Sequence, residues 1–166
     1  APIPFIWTIL SVISISTMFE WPIYLQDVVT AFLAGELDEY DIFMYPPPGM
    51  HISPENEGKI LKLVKGLYGL KQAPLLWFKK LSEALLSFGF KQSLVDLGLY
   101  TKRNGDLIVL IIIWVDDILI TGSDIEGIKI LKQQLAEQFK MKDLGILSHY
   151  LGVEVNCKKE CTTLTQ

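Results

Sequence analysis

Cysteine is scarce in this chain: Cys157 and Cys161, spaced C-x3-C near the end of 166 residues, are the only two. So lone a pair excludes a disulfide-stapled scaffold and reads as two ordinary thiols in a reducing compartment rather than half a metal site. Basic residues are also in short supply, 15 Lys+Arg against 19 Asp+Glu for a net charge of -4. That balance argues against a free-standing nucleic-acid binder, whose footprint is normally basic. Long apolar runs are missing too. Leu107 to Val115 is nine residues, far below the ~20 that span a bilayer as a helix. The N-terminal "IPFIWTILSVISISTMF" lacks the positive flank of a signal peptide and is interrupted by Ser11, Ser14 and Ser16. There is no initiator Met, no internal repeat and no low-complexity block; with the polar end "KKECTTLTQ", the chain reads as a piece of something longer.

What is abundant is apolar side chain, 50% of the residues with a mean hydropathy of +0.33. The length suits about one domain with a real core. Residues 5–18 read as a buried helix ended near "EWP" by Pro22. "IYLQDVV" reads as a strand, and "TAFLAGEL" as a turn or helix end at Gly35. "IFMYPPPGMHISPENEG" starts extended and becomes a Pro/Gly loop, and "KILKLVKGLYG" alternates partly as a strand. Trp77, Leu81, Ala84, Leu85 and Phe88 recur at helical spacing between Pro74 and Gly89. A second helix starts at a capping box, Ser123 with Glu126, and continues through Ile128, Leu131, Leu135 and Phe139. "LGLYTKR" with the turn "NGD" lies between these helices, and "LSHYLGVEV" supplies a last short strand pair or turn.

The segment "LIVLIIIWVDDILITGS" sets Asp116 and Asp117 inside a run that otherwise reads as core. Burying charge is costly unless something pairs with it. Strand formers on both sides predict a hairpin whose two-residue turn carries both aspartates. They either serve the turn alone or hold a hard divalent cation, since Mg²⁺ takes oxygen ligands from one or two carboxylates plus substrate phosphates. The second reading needs a third carboxylate. Asp27, ending "IYLQD", is the candidate if its strand lies beside the hairpin; alone it would read as a helix N-cap.

The stretches "QDVVTAFLAGELDE", "KGLYGLKQAPLLWFKKL", "WVDDILITGSD", "MKDLG" and "YLGVEV" follow in this order between Trp21 and Val155. Together they resemble the reverse transcriptase of copia-type long-terminal-repeat retrotransposons. The resemblance implies an α+β fold, the palm of a right-hand polymerase, with an antiparallel sheet packed on helices at about 74–89 and 124–140. It implies a partial domain over 1–166: an apolar helix in 1–20, the palm with its motifs in 21–155, and a polar tail in 156–166. Most of the fingers and any RNase H region would lie elsewhere.

By resemblance, Asp27 matches the first catalytic aspartate, and Asp116 and Asp117 match the pair of the Tyr-Val-Asp-Asp box. The implied activity is RNA-directed DNA synthesis with two Mg²⁺ ions, or Mn²⁺ in their place, ~3.5–4 Å apart. Asp27 and Asp116 would bridge them, Asp117 would support the site less directly, and the Val28 carbonyl would add a ligand. Phe32 matches an aromatic gate under the nucleotide sugar, or is core on a helix face. Gln72 matches the glutamine that meets the incoming nucleotide, with Gly69 and Lys71 shaping its loop; Lys71 also reads as a solvated charge. Leu151 and Gly152 match the primer grip, or form a plain turn. Lys140 and Lys142 both remain candidates to face pyrophosphate.

The implied partners are a primed RNA or DNA template, deoxynucleoside triphosphates and the rest of a Pol polyprotein with fingers, RNase H and integrase, without a membrane. The implied location is intracellular, in a cytoplasmic virus-like particle or the nucleus. Departures from the pattern remove charge or polarity: Trp114 for Tyr, Val29 for Lys, Leu75 for Arg, Phe5 and Leu10 at basic positions, and "LQD" in place of Gln-Leu/Met-Asp. An active enzyme, a decayed copy that keeps the fold, and a host-recruited metal-binding interaction domain all fit this sequence.

Overall fold

The structure is a computed structural model that describes residues 1–150, 153–157 and 162–165, with backbone alone for 149–150 and the last two segments. In chain order its elements are α1 (Ile6–Met18), β1 (Ile23–Val28), β2 (Phe43–Met44), β3 (Leu61–Lys62), α2 (Ala73–Ser87), β4 (Lys91–Gln92), β5 (Leu99–Asn104), β6 (Leu107–Trp114), β7 (Asp117–Gly122), α3 (Ile125–Gln138), β8 (Met141–Ile146), β9 (His149–Tyr150), β10 (Val153–Cys157) and β11 (Thr162–Thr165). Six strands form an antiparallel sheet in the order β4-β5-β6-β7-β1-β8. The expected α+β class, an antiparallel sheet with helices packed on it, is what the chain adopts.

The apolar run of β6 and β7 has no polar alternation because both faces of the sheet are covered. Ile111, Ile113, Ile118 and Ile120 join Trp77, Leu81 and Leu85 of α2 and Leu131 and Leu135 of α3 in the larger core. Leu110, Ile112 and Leu119 point the other way, onto Ile9, Val12 and Ile13 of α1. Successive strand residues face opposite sides, so a doubly covered strand must be apolar at every position. This accounts for the high hydropathy.

Two expectations are corrected. First, α1 is buried on one side only: Ile9, Val12, Ile13 and Ser16 face the sheet, whereas Trp7 is 75% and Met18 74% exposed. The chain turns away before Pro22, with Glu20 at φ 54° and the Trp21 N–H donating to the Ser16 carbonyl at 2.8 Å. Second, the cap of α3 is Asp124, not Ser123. Its Oδ1 accepts the Gly127 N–H at 2.8 Å, where a carboxylate also suits the positive helix end. Ser123 Oγ instead accepts the Ile108 N–H at 3.0 Å. Beside the main sheet, β11 pairs antiparallel with β10, which pairs with β9, in a separate three-stranded sheet.

The reversed "LQD" order has a structural consequence. Leu25 packs on the α1 side with the smaller core, leaving Gln26 on the α2 and α3 side, 2% exposed. Its Nε2 has no partner in hydrogen-bond geometry. The Gln26 amide still contributes weakly to Asp143 on β8: burial pushes that carboxyl up, and the Gly145 N–H, the Lys132 ammonium and, least of all, the Gln26 amide outweigh it and hold it below the usual range. An unmet buried donor costs about 1–3 kcal/mol. Gln26→Leu is therefore expected to raise the unfolding free energy by about 1 kcal/mol, read as a higher urea midpoint at unchanged slope. A lower midpoint would mean that the amide is satisfied after all.

Candidate active site

Asp27 and Asp117 stand directly opposite each other on the neighbouring strands β1 and β7. The adjacent Val28 N–H donates to the Asp116 carbonyl at 3.1 Å. That makes Val28 and Asp116 the hydrogen-bonded pair, and Asp27 with Asp117 the non-bonded pair, in which side chains stand closer. The expected juxtaposition of the first aspartate with the hairpin is present. Both side chains lie on the α1 face, in line with Leu25 and Leu119, and are half-buried.

The hairpin differs from expectation by one residue. Trp114 pairs with Asp117, so the two-residue turn is Val115-Asp116, and Asp117 is the first residue of β7 rather than a turn residue. Val115 takes φ 58°, a left-handed conformation that a β-branched side chain strongly resists. A positive φ at the first turn position matches the right-handed twist of the flanking strands. The β7 side of the hairpin thereby keeps Asp117 in the ladder opposite Asp27.

The same rung continues across the sheet. Trp114 faces Asp117, Asp117 faces Asp27, and Asp27 faces Lys142 of β8. One row thus carries an aromatic, two carboxylates and a cation, with Asp116 in the turn at its edge. Of the two lysines left open by the sequence, Lys142 belongs to this row. Lys140 precedes β8 and serves through its backbone, its carbonyl accepting the Val29 N–H at 2.8 Å.

Electrostatics follow from this crowding. The Asp117 carboxyl is raised above its ordinary value of 3.8, first by burial and then by the charges of Asp116 and Asp27. The acidic groups sense one another, as a cation site requires. Among the described residues, no three His, Cys, Asp or Glu side chains are close enough to cage a metal unaided. All the donors here are carboxylate oxygens, which suit a hard cation that keeps water and substrate phosphate in its shell and needs only one or two protein carboxylates.

The other predicted residues fall into two groups. Phe32 lies in the 3-10 turn Ala31–Ala34 after β1, 9% exposed within the larger core. Its ring is covered by Tyr68, 62% exposed, at a centroid distance of 4.5 Å. In this conformation Phe32 is a core residue, and the accessible aromatic is Tyr68. Gly69 (φ 94°), exposed Lys71 and half-buried Gln72 form the loop entering α2. That loop is tied to the segment after Asp27: the Gly66 N–H donates to the Gly35 carbonyl at 2.9 Å, and a Cβ at Gly66 would come within 2.5 Å of the Phe32 carbonyl oxygen. Leu151, Gly152 and Cys161 lie outside the described residues.

Sequence reasoning passed over Trp77. It was legible as a core position of α2, yet its indole N–H donates to the Val115 carbonyl at 2.7 Å, inside the acidic turn. The available signal was chemical: a fully buried Trp usually needs an acceptor for its N–H. A cleft of about 380 Å³ lined by Glu36, Asp38, Lys79, Lys80 and Glu83 includes none of the three aspartates.

An antiparallel sheet backed by helices, with paired aspartates at a hairpin tip and a third aspartate in register, defines a class of carboxylate-centred site. Over residues 1–166 the chain matches the family described as reverse transcriptase (RNA-dependent DNA polymerase), and it belongs to that family, in its copia-type branch. It is 40% identical over 86% of its length to the retrovirus-related Pol polyprotein from transposon RE1 of Arabidopsis thaliana, and 36% identical over 86% to that from transposon RE2. It is 34% identical over 93% of its length to the Pol polyprotein from transposon TNT 1-94 of Nicotiana tabacum. The chain spans only 10–12% of these relatives. Among the described residues, no helix is long and apolar enough to cross a membrane.

The raised Asp117 carboxyl makes a signed prediction. Between 3.8 and its higher folded value, the folded state holds more proton than the unfolded chain, so stability falls as pH rises through that window. At neutral pH, ionised Asp117 is a burden on the fold. Asp117→Asn should therefore raise the thermal midpoint at pH 7, and its advantage should shrink as pH falls below 4. Midpoints of both proteins measured from pH 3 to 8 test this; a pH-independent difference would assign the effect to something other than charge.

Proposed function

We propose that this chain is the palm of a copia-type reverse transcriptase and that Asp27, Asp116 and Asp117 are its nucleotidyl-transfer centre. The observation that carries the reading is the register of Asp27 with Asp117 across β1 and β7, beside a turn that offers Asp116. Magnesium is supported by the all-oxygen donor set and by the crowding at Asp117, raised first by burial and then by the charges of Asp116 and Asp27. Asp27 and Asp116 would hold the ions, with the Val28 carbonyl as a further ligand and Asp117 supporting the site. When bound, the ions stabilise charge on the attacking primer 3′-oxygen and the leaving pyrophosphate.

This chain's own residues do the positioning. The β1–β7 ladder sets the spacing of the carboxylates. The loop of Gly69, Lys71 and Gln72, fastened to the segment after Asp27, supplies the face for an incoming deoxynucleotide. Lys142, in the same rung, is the cation next to the phosphates. A primed RNA or DNA template and the remainder of a Pol polyprotein complete the machine, and a virus-like particle in the cytoplasm is its working place.

A decayed, non-catalytic copy is favoured by one observation: Leu75, 39% exposed, and Val29 are apolar where the family resemblance implies charge.

Two measurements separate these readings. Added MgCl₂ is expected to raise the thermal midpoint of the chain but not of Asp27→Asn or Asp116→Asn. No shift in the parent chain would remove the metal site. Primer extension on an RNA template, by a Pol polyprotein carrying this segment, is expected to fall by roughly 10³-fold or more in either variant. Equal incorporation by parent and variants would overturn the catalytic assignment, and magnesium stabilisation without incorporation would select the decayed copy. In the same assay Lys142→Ala is expected to slow incorporation by at least about 10²-fold, with Lys140→Ala near parental; the reverse order would exchange their roles.

A further inference from the structure

Val115 is a β-branched residue at φ 58°, in the turn that carries Asp116. Backbone of this kind persists only where its surroundings hold it. The peptide planes on both sides of Asp116 are in fact held. The Asp116 carbonyl accepts the Val28 N–H at 3.1 Å, and the Val115 carbonyl accepts the Trp77 indole N–H at 2.7 Å. Trp77 is 0% exposed, and its ring meets Phe139 edge-on at 5.1 Å and 87°. Phe78, Leu81 and Leu85 anchor the same helix in the core. A donor on so fixed a ring determines which way the 115–116 peptide faces, and with it the direction of the Asp116 side chain.

We propose that Trp77 is a positioning residue of the acidic turn: through its indole N–H it keeps Val115 in the left-handed conformation that sets the direction of Asp116 at the end of the Asp27–Asp117 pair. It touches neither substrate nor ion. The consequence for catalysis rests on the function proposed above; the consequence for the turn does not.

Trp77→Phe keeps an aromatic ring in the pocket and removes the donor. Val115→Gly removes the strain, because glycine adopts positive φ freely. The expected result for Trp77→Phe is a folded chain with microsecond–millisecond NMR exchange broadening at the Asp116 and Asp117 amides. Mg²⁺ affinity, from NMR titration with the metal alone, should weaken by about tenfold. In the Val115→Gly background the same substitution should add at most about a third of that loss, because the strain it restrained is gone. A residue that merely fills the core would lower the melting temperature equally in both backgrounds and leave the turn amides sharp; that outcome overturns the proposal. Should the parent chain bind no Mg²⁺, the amide broadening still decides the role of Trp77, so failure of the metal site and failure of the positioning role give different results.

Discussion

The structure depends on keeping like charges together at one end of the inner strands of an apolar sheet. Asp27 and Asp117 oppose each other across two strands whose other buried side chains are Ile, Leu and Val apart from Gln26 and Thr121, with Asp116 one residue away. Left to themselves, partly desolvated carboxylates repel and prefer water. What prevents separation is the ladder: β1 is hydrogen-bonded on both flanks, to β7 and to β8, and cannot slide without turning every core side chain of the strand to the wrong face.

Around that constraint the sheet has a division of labour. The face under α2 and α3 is the larger core and supplies rigidity, including the indole that reaches the turn. The opposite face is covered by α1 only in part, through Ile9, Val12 and Ile13. The acidic rung lies on that second face, half-buried, with a core behind it and Lys142 beside it. The carboxylates there are thus partly desolvated yet still partly exposed to solvent. The strain at Val115 and the raised Asp117 carboxyl fall at the same spot, as expected where stability is traded for a site.

Family membership and geometry support one reading from different directions. Similarity to transposon Pol polyproteins says what the chain descends from. The rung says what the fold can hold. Apolar Leu75 lies in α2, away from the ladder and the rung.

The amino-acid order by itself determined helices α1, α2 and α3, strands β1, β6 and β7, and the three aspartates. Helical spacing around Trp77 and Leu81, the strand-forming runs on both sides of Asp116, and Gly or Pro punctuation are local signals, set by backbone sterics and by what each residue buries. It also determined the family, because motif order survives in one dimension. Tertiary structure alone decided the register. Whether the hairpin turned on Val115-Asp116 or Asp116-Asp117 depended on pairing with β1 and on an acceptor for Trp77, neither of which is local. The same holds for Phe32 being covered by Tyr68, for Asp124 displacing Ser123 as the cap, and for Lys142 rather than Lys140 standing beside Asp27. Each is a choice between near-equal local options, settled by contacts between segments far apart in the chain.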